Sequence, residues 1–549
     1  MGSTEQSVEG SGPGPERGGP SDASPVPFAP GLARAGGLGL GRRLVKNSAW
    51  NIFSFVISSL ITIATAPLYI NYLGLDGYGL LVILNSILTP LALLNLGFGQ
   101  ATIKYVAENY SAHRMEEAGR YLQSTLLFNV GIGLLGMLVI YLGAVPLADA
   151  FKLVEPQVRG TAIIGFRLVA VGWFFNQIAS TFMGVAVAQQ RFRLHSVCGS
   201  FVTSGGVLFG LLVLAMPGGN FTRLMIFRAI WGGATALTWA LISRRLLPGV
   251  SLWPRYNKSA FHNSFHFGVW QTVASVGGIL ALQTDKLLLG RFRGTEAVGI
   301  YSVPTTAFMQ SVAVVGRLAE VLFPAISNLQ GQKRDRAMVD LMLRGSWLIA
   351  LLMVSAQTTL MVFADDVLRL YMHGKLPGVA TSILRLSCAG AIVTAATPGV
   401  SQFLLGTGRT GWMAWMSISA GVLTLVADLI LIPTKGINGA AWGGAMAVII
   451  SRPLIYLLLW FKIFRATTSF RKQFAYLLGP SIPGIVLALA LQTLHDELKP
   501  SLGWIGLGFW SLVTFGFSGL LLVWIDGFLP ESAQRRADLY SLLRLVTRQ

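Results

Sequence analysis

The chain has 549 residues, of which 53% are hydrophobic and only 12% charged, with a formal net charge of +19. That balance, with a positive mean hydropathy, excludes an ordinary soluble domain and defines a polytopic membrane protein. The positive charge is scattered over short connecting segments, which excludes a nucleic-acid-binding surface and leaves membrane lipids as its ordinary partner.

Residues 1–41 are rich in Gly, Pro and Ser without hydrophobic periodicity and are expected to form a disordered cytoplasmic tail. No cleavable signal is expected, because the first span is too long and lies behind a long polar lead. A bilayer core of about 30 Å takes roughly 20 apolar residues per helix. About 14 stretches have that length. The first six lie near residues 49–72, 79–102, 122–144, 160–188, 196–216 and 221–243, and six more near 264–289, 298–328, 340–363, 379–405, 411–433 and 438–461. A last pair lies near 473–494 and 502–526. Long uninterrupted apolar runs favour helices over alternating barrel strands, so the expected fold class is all-α.

Basic runs such as Arg42-Arg43, Arg191, Arg193, Arg244-Arg245, Lys333-Arg334 and Arg535-Arg536 fall on one side of the membrane when the N-terminus is cytoplasmic. An even number of spans then returns the C-terminus to the cytoplasm. Cys198 and Cys388 both fall in predicted spans, and the six histidines show no ligand spacing, so neither a disulfide framework nor a metal site is expected. Asn220-Phe221-Thr222 matches a glycosylation sequon at a membrane edge.

The sequence repeats itself. Arg167-Leu168, Gly172 and Arg191 recur as Arg385-Leu386, Gly390 and Arg409 at an offset of 218, and Trp231-Gly-Gly-Ala recurs as Trp442-Gly-Gly-Ala at an offset of 211. A weaker match pairs Arg114 with Arg336 at an offset of 222. Each match joins span n to span n + 6, so the copies share one membrane orientation and their symmetry axis lies along the membrane normal. The expected organisation is two parallel six-helix lobes, 42–243 and 264–461, joined by a cytoplasmic linker, 244–263. Residues 462–549 add two helices and a cytoplasmic tail.

Charges inside spans are costly and mark candidate sites. Arg167 and Arg385 each lie about seven residues inside a span, where two roles fit: a shared site for an anionic headgroup, or snorkelling to the outer headgroups. Arg317 and Glu320 stand three apart on one helix face, either neutralising each other or placing Glu320 to bind a coupling proton or sodium ion. Asn95 falls at the repeat position of Arg317, so Asn95, Arg317 and Glu320 are expected in a central cavity. Asp428, nearer the outer end of its span, is a second carboxylate for ion coupling, or one solvated at the membrane edge. Asp285 and Lys286 read as edge residues.

The stretch Tyr72-Leu73-Gly74-Leu75-Asp76-Gly77-Tyr78-Gly79-Leu80, with Leu94-Asn95-Leu96-Gly97-Phe98-Gly99-Gln100-Ala101 and Lys104-Tyr105-Val106-Ala107-Glu108, resembles the opening of polysaccharide-export flippases. Asp285-Lys286-Leu287-Leu288-Leu289-Gly290 and Val298-Gly299-Ile300-Tyr301-Ser302 resemble the start of their second half. These proteins belong to the multidrug, oligosaccharidyl-lipid and polysaccharide flippase superfamily. Position 95, often Asp in that family, is Asn here, which counts against an acidic coupling role at that position. The resemblance implies transport, not enzymatic chemistry: an isoprenoid-diphosphate-linked glycan crosses the cell inner membrane by alternating access, with Arg167 and Arg385 expected on its diphosphate. No cofactor is implied beyond H+ or Na+ coupling, and glycan polymerase or assembly proteins are the implied partners. Alternatives are a lipid II flippase, a cation-coupled multidrug exporter and, from another class, a glycan polymerase or ligase. The last would need a catalytic group on a sizeable external loop, and every external loop here is short.

Overall fold

The structure, a computed structural model, describes residues 37–95, 98–151, 156–189, 191–332, 334–465, 468–498 and 502–527. Most of the expected N-terminal tail, up to residue 36, and the C-terminal tail from 528 lie outside the described residues. The chain divides into Met1–Ala49, whose described part is helical from Gly37, and Trp50–Gln549, which holds everything considered below. Every regular element among the described residues is helical, with no strand among them.

Helix α1 spans Gly37–Leu91 and is broken at Gly74, where φ is 71° and ψ 176°. A left-handed φ with an extended ψ is a conformation that glycine alone adopts without strain. A tight turn, Ala92–Asn95, separates it from α2, Phe98–Ser111. Then come α3 (Met115–Leu142), the short α4 (Ala144–Ala150), α5 (Pro156–Ala188), α6 (Phe192–Ala215) and α7 (Phe221–Leu246). The second half contains α8 (Lys258–Arg293), α9 (Thr295–Ala319), α10 (Leu322–Gly331), α11 (Asp335–Val362), the short α12 (Ala364–Met372), α13 (Val379–Val393), α14 (Thr397–Gly406), α15 (Thr410–Lys435) and α16 (Ile437–Leu459). The last elements are α17 (Phe470–Leu477), α18 (Ser481–Leu498) and α19 (Trp504–Asp526).

Among the described residues, 11 helices are long and apolar enough to cross a membrane, or 12 when the bent pair α13 and α14 is one span. The sequence expectation of about 14 differs for a physical reason. It takes two passes across the Gly74 break and one along α8, whereas Ile57–Asn95 is a single 39-residue stretch by length and composition, and α8 is not among the apolar spans. At 1.5 Å per residue, 39 residues reach about 58 Å, nearly twice a bilayer core.

The element order repeats as the motifs predict. A break at Gly294 (φ 87°, ψ −179°) precedes α9 as the Gly74 break precedes the second part of α1. The turn at Ala92–Asn95 has its counterpart in the break between α9 and α10, and α4 corresponds to α12. Arg191 caps α6 with φ −81° and ψ 56°, and Arg409 caps α15 with φ −82° and ψ 51°. The weak match is corrected: Arg114 caps α3 (φ −94°, ψ 69°) as Arg334, not Arg336, caps α11 (φ −97°, ψ 64°). One difference stands out. α5 runs unbroken, while its counterpart bends by 50° between α13 and α14, where Pro398 lacks the amide donor that would continue the helix.

Packing follows this repeat: α5 lies along α7 and α3 as its counterpart α13 lies along α16 and α11, while α15 lies along α8 and α16. α8 begins against α2 and α3 and continues to α15 and α9, so it passes from one set of helices to the other. The sets also meet beside the two broken glycines. A Cβ on Gly79 would lie 1.8 Å from the Thr295 carbonyl oxygen, and one on Gly299 would lie 2.4 Å from that of Leu75, so only glycines allow the backbones to touch here. Thr295 Oγ1 donates to Asp76 Oδ1 (2.9 Å) at the same seam. The Tyr371 hydroxyl donates to the Ile63 carbonyl, and Lys375 Nζ to Asn71 Oδ1, extending the seam to α12 and the loop after it. α19 presents an apolar face suited to lipid: it leaves Ile505 and Leu520 exposed and buries Leu507 and Leu522.

Candidate functional site

α1, α5, α6 and α7 enclose a cavity of about 710 Å³. Its wall alternates apolar side chains and two indoles, Trp173 and Trp231, with the amides of Asn85, Asn95, Asn176 and Gln177. Arg228 is the only charged residue among those that line it. The position follows from the local fold. Asn220 Oδ1 accepts the backbone N–H of Arg223 (2.9 Å) and starts α7 at Phe221, which sets Arg228 two turns, roughly 10 Å, into the helix. The expected sequon Asn is thus a helix cap.

Arg228 Nη2 donates to Asn85 Oδ1 across the cavity (3.1 Å). A neutral amide leaves the guanidinium charge uncompensated in a wall that is otherwise neutral, the electrostatic condition for holding an anion. Asn95 Oδ1 and Gln177 Nε2 are buried there without a hydrogen-bond partner, so they too present unused polar capacity. The walls are fixed: the Tyr69 hydroxyl donates to the Val207 carbonyl (2.9 Å), and Trp231 Nε1 donates to that of Val202 (3.0 Å).

The repeated motifs turn out to build this wall. A Cβ on Gly232 would lie 3.3 Å from the Gly172 carbonyl oxygen, so the glycine of the arginine motif and that of the Trp-Gly-Gly motif form the crossing of α5 and α7. In the second copy a Cβ on Gly390 would lie 3.5 Å from the Cα of Ala445.

The arginines of the motif stand on corresponding helices but outside the cavity lining. Arg167 on α5 places Cζ 5.1 Å from the Tyr141 ring, and its Nε is buried without a partner. Arg385 on α13 binds Asp496 of α18, Nη2 to Oδ1 at 2.6 Å, beside a separate pocket of about 420 Å³ that includes Asp366 and His495. His495 Nε2 and Asp366 Oδ2 are 2.7 Å apart, which ties α18 to α12 as well as to α13. The structure therefore does not bring Arg167 and Arg385 into one pocket.

Of the three residues expected in a central cavity, Asn95 lines it and Arg317 and Glu320 do not. Those two form a half-exposed ion pair, Nη1 to Oε1 at 2.8 Å, with Arg317 Cζ 4.8 Å from the Phe55 ring. The apolar run extends to residue 328 in the sequence, but α9 ends at Ala319. Arg317 then lies 22 residues from Thr295, about 33 Å along the axis and near the helix end instead of mid-membrane.

Asp428 on α15 is fully buried and neither carboxylate oxygen has a hydrogen-bond partner. It presses on α16, where a Cβ on Gly443 would meet Oδ1 at 2.2 Å. Asp285 on α8 accepts the Tyr301 hydroxyl at Oδ2 (2.6 Å), so it is tied to α9 and is not a loose edge residue. Among the described residues no group of three or more His, Cys, Asp or Glu side chains is placed to hold a metal ion.

Arg228 is the residue that motif reading missed. The available signal was its isolation: it is the only charge between residues 224 and 243, and the offset of 211 puts Gly439 at its place in the second copy. A search for symmetric charges passes over a cation that only one half carries.

Comparison with known proteins agrees with this architecture. The sequence profile of a family described as polysaccharide biosynthesis protein matches residues 44–330. The "Putative O-antigen transporter" of Shigella flexneri is 20% identical over 423 residues, 75% of this chain and 96% of that protein. A probable low-salt glycan biosynthesis flippase of Haloferax volcanii is 22% identical over 246 residues, 44% of this chain and 50% of the relative. Among solved structures, the lipid II flippase MurJ in an inward closed conformation aligns with a TM-score of 0.67 at 14% identity, covering 89% of this chain and 98% of that one. A multidrug resistance MATE family transporter of the MOP superfamily in an inward-facing conformation aligns at 0.62 and 12%, covering 77% and 100%. Both solved structures share the all-helical fold.

Proposed function

Because the chain belongs to the polysaccharide biosynthesis protein family, we propose that it flips an isoprenoid-diphosphate-linked oligosaccharide or polysaccharide precursor across the inner (plasma) membrane by alternating access, with both termini cytoplasmic. It is a transporter and not an enzyme. The observation that carries the reading is Arg228, an uncompensated guanidinium in a cavity of amides, hydroxyls and indoles. A diphosphate cannot cross hydrocarbon unaided, and a planar guanidinium offers two parallel donors to its oxygens. Asn85, Asn95, Asn176 and Gln177 offer donors and acceptors to the first sugars, while the isoprenoid chain stays in the lipid. A cationic drug would meet repulsion from Arg228, which favours the glycan over multidrug export.

The seam at Gly79 and Gly299 closes the end that the basic-residue pattern assigns to the outside. Opening it and closing the other end would turn the cavity over. Coupling to H+ or Na+ falls to Asp428, whose carboxylate is buried without a hydrogen-bond partner, and not to Glu320, which is half-exposed and already paired with Arg317. The two halves thereby divide the work: a cation for the substrate in the first, carboxylates for the ion in the second. Lipids surround the chain, and polymerase or assembly proteins receive the flipped glycan.

The test is flipping of defined lipid-diphosphate sugars in proteoliposomes. Arg228→Gln should reduce transport at least about tenfold, the loss of one charge-assisted contact, and Arg228→Lys should restore it only in part because an ammonium lacks the planar fork. Full activity in Arg228→Gln would end this reading.

A further inference from the structure

A second pocket, of about 640 Å³, opens where the start of α3 meets the segment joining α7 to α8. That segment is held in place and does not hang as a loose loop. Gln123 Nε2 donates to the Ser251 carbonyl (2.7 Å), and Val250 packs so closely on Gly119 that a Cβ there would lie 2.6 Å from its Cγ1. Asn257 Oδ1 accepts the Ala260 N–H (2.9 Å) and fixes the entry to α8.

The charges around this pocket are unequal. Arg120 is held by both Glu116 and Glu117, at 2.7 and 2.6 Å, so its charge is spent and one negative charge is left over on that side. Arg255 lines the same pocket and makes no ion pair among the described residues. Beside it, Tyr256 lines the pocket and is 64% exposed although its ring stands 5.8 Å from that of Phe261, and Trp253, three residues before Tyr256 and just outside the lining, is 74% exposed. A rigid pocket with a free guanidinium, side-chain amides and bare aromatic faces matches what an acidic sugar presents: a carboxylate or phosphate, hydroxyls, and an apolar C–H face.

We propose that this pocket is a saccharide subsite that takes an acidic sugar of the lipid-linked glycan before the glycan enters the cavity. Arg255 holds the anionic group, Gln123 and Asn257 bond the hydroxyls, and Tyr256 with Trp253 covers the C–H face. The inference rests on the transport reading above and names a property of its substrate. Its competitor is a lipid headgroup, since Trp, Tyr and Arg also gather at membrane interfaces.

The experiment is calorimetric titration of the purified full chain with a soluble glucuronate-containing oligosaccharide and a neutral glucose oligosaccharide of equal length. The acidic sugar should bind at least about tenfold more tightly. Arg255→Gln should erase that preference, and Tyr256→Ala should weaken both sugars. Equal affinity for the two sugars, or a preference that survives Arg255→Gln, overturns the proposal. So does a chain that ignores glucuronate while Arg255→Gln lowers its retention of phosphatidylglycerol in nanodiscs, which would identify a lipid anchor. Flipping in proteoliposomes separates the two readings. Normal flipping without glucuronate binding defeats the subsite alone, and glucuronate binding without flipping defeats the transport reading alone.

Discussion

Replacing Gly79 with alanine should open the seam between the two sets of helices. The added Cβ would sit 1.8 Å from the Thr295 carbonyl oxygen, 2.7 Å from its carbon and 2.9 Å from the Gly299 nitrogen, against an ordinary contact of 3.4–4 Å. All three atoms are backbone, so no side chain can swing aside and α9 must move away by more than about 1 Å. Overpacking of this kind costs about 1–3 kcal/mol, and it falls only on the state in which the seam is closed. The gain in helix propensity on going from Gly to Ala applies to both states and cancels. The closed population should therefore drop about 5- to 150-fold relative to the open one. Pulsed spin-label distance measurements between Tyr72→Cys and Pro377→Cys, in a chain whose Cys198 and Cys388 are serine, would follow the gap directly. A long-distance population should grow in Gly79→Ala and in Gly299→Ala, and transport should fall. Gly131→Ala, with open space around its Cβ, is the control and should change neither. Distances in Gly79→Ala that match the parent would refute the idea that backbone contact at these glycines holds the seam shut.

Other substitutions separate the remaining assignments. Asp428→Asn keeps the volume of a fully buried side chain and removes its charge, so gradient dependence of flipping should disappear at unchanged membrane abundance, whereas Glu320→Gln, on a half-exposed pair, should leave it intact. A gradient response that survives Asp428→Asn would return the coupling role to another group. Arg385→Ala should loosen α18 by no more than about 1 kcal/mol, because its pair with Asp496 is partly exposed, and Arg385→Lys should transport normally. Thermal unfolding and flipping measured together would show it; a loss of transport in Arg385→Lys without a change in unfolding would instead place this arginine on the substrate. Tyr69→Phe should cut transport modestly and leave the fold intact, since one hydrogen bond to Val207 is lost while the ring remains.

The surrounding medium, the fold class and the repeat are legible in residue order alone. Apolar runs of bilayer length leave the backbone no choice but to satisfy its hydrogen bonds within helices, and the spacing of Gly172, Trp231, Gly390 and Trp442 marks two copies of one packing scheme. The repeat of Arg191 as Arg409 is likewise visible in the sequence, while their matched positions at the starts of α6 and α15 are seen only in the structure. What linear order cannot supply is which face of a helix looks at which neighbour. Arg167 and Arg385 are conspicuous because they repeat, yet one lies on Tyr141 and the other is bound by Asp496, a residue 111 positions away on a helix outside the repeat. Arg228 passes unnoticed because nothing repeats it, yet the crossing of α5 and α7 at Gly172 and Gly232 turns it toward Asn85 and the cavity. Glu320 reads as deeply buried until the end of α9 moves it to the rim, and Asp428 reads as edge-solvated until α16 closes over it. Depth and pairing of a charge are decided by helix ends and by contacts between distant segments, and those exist only once the helices have packed.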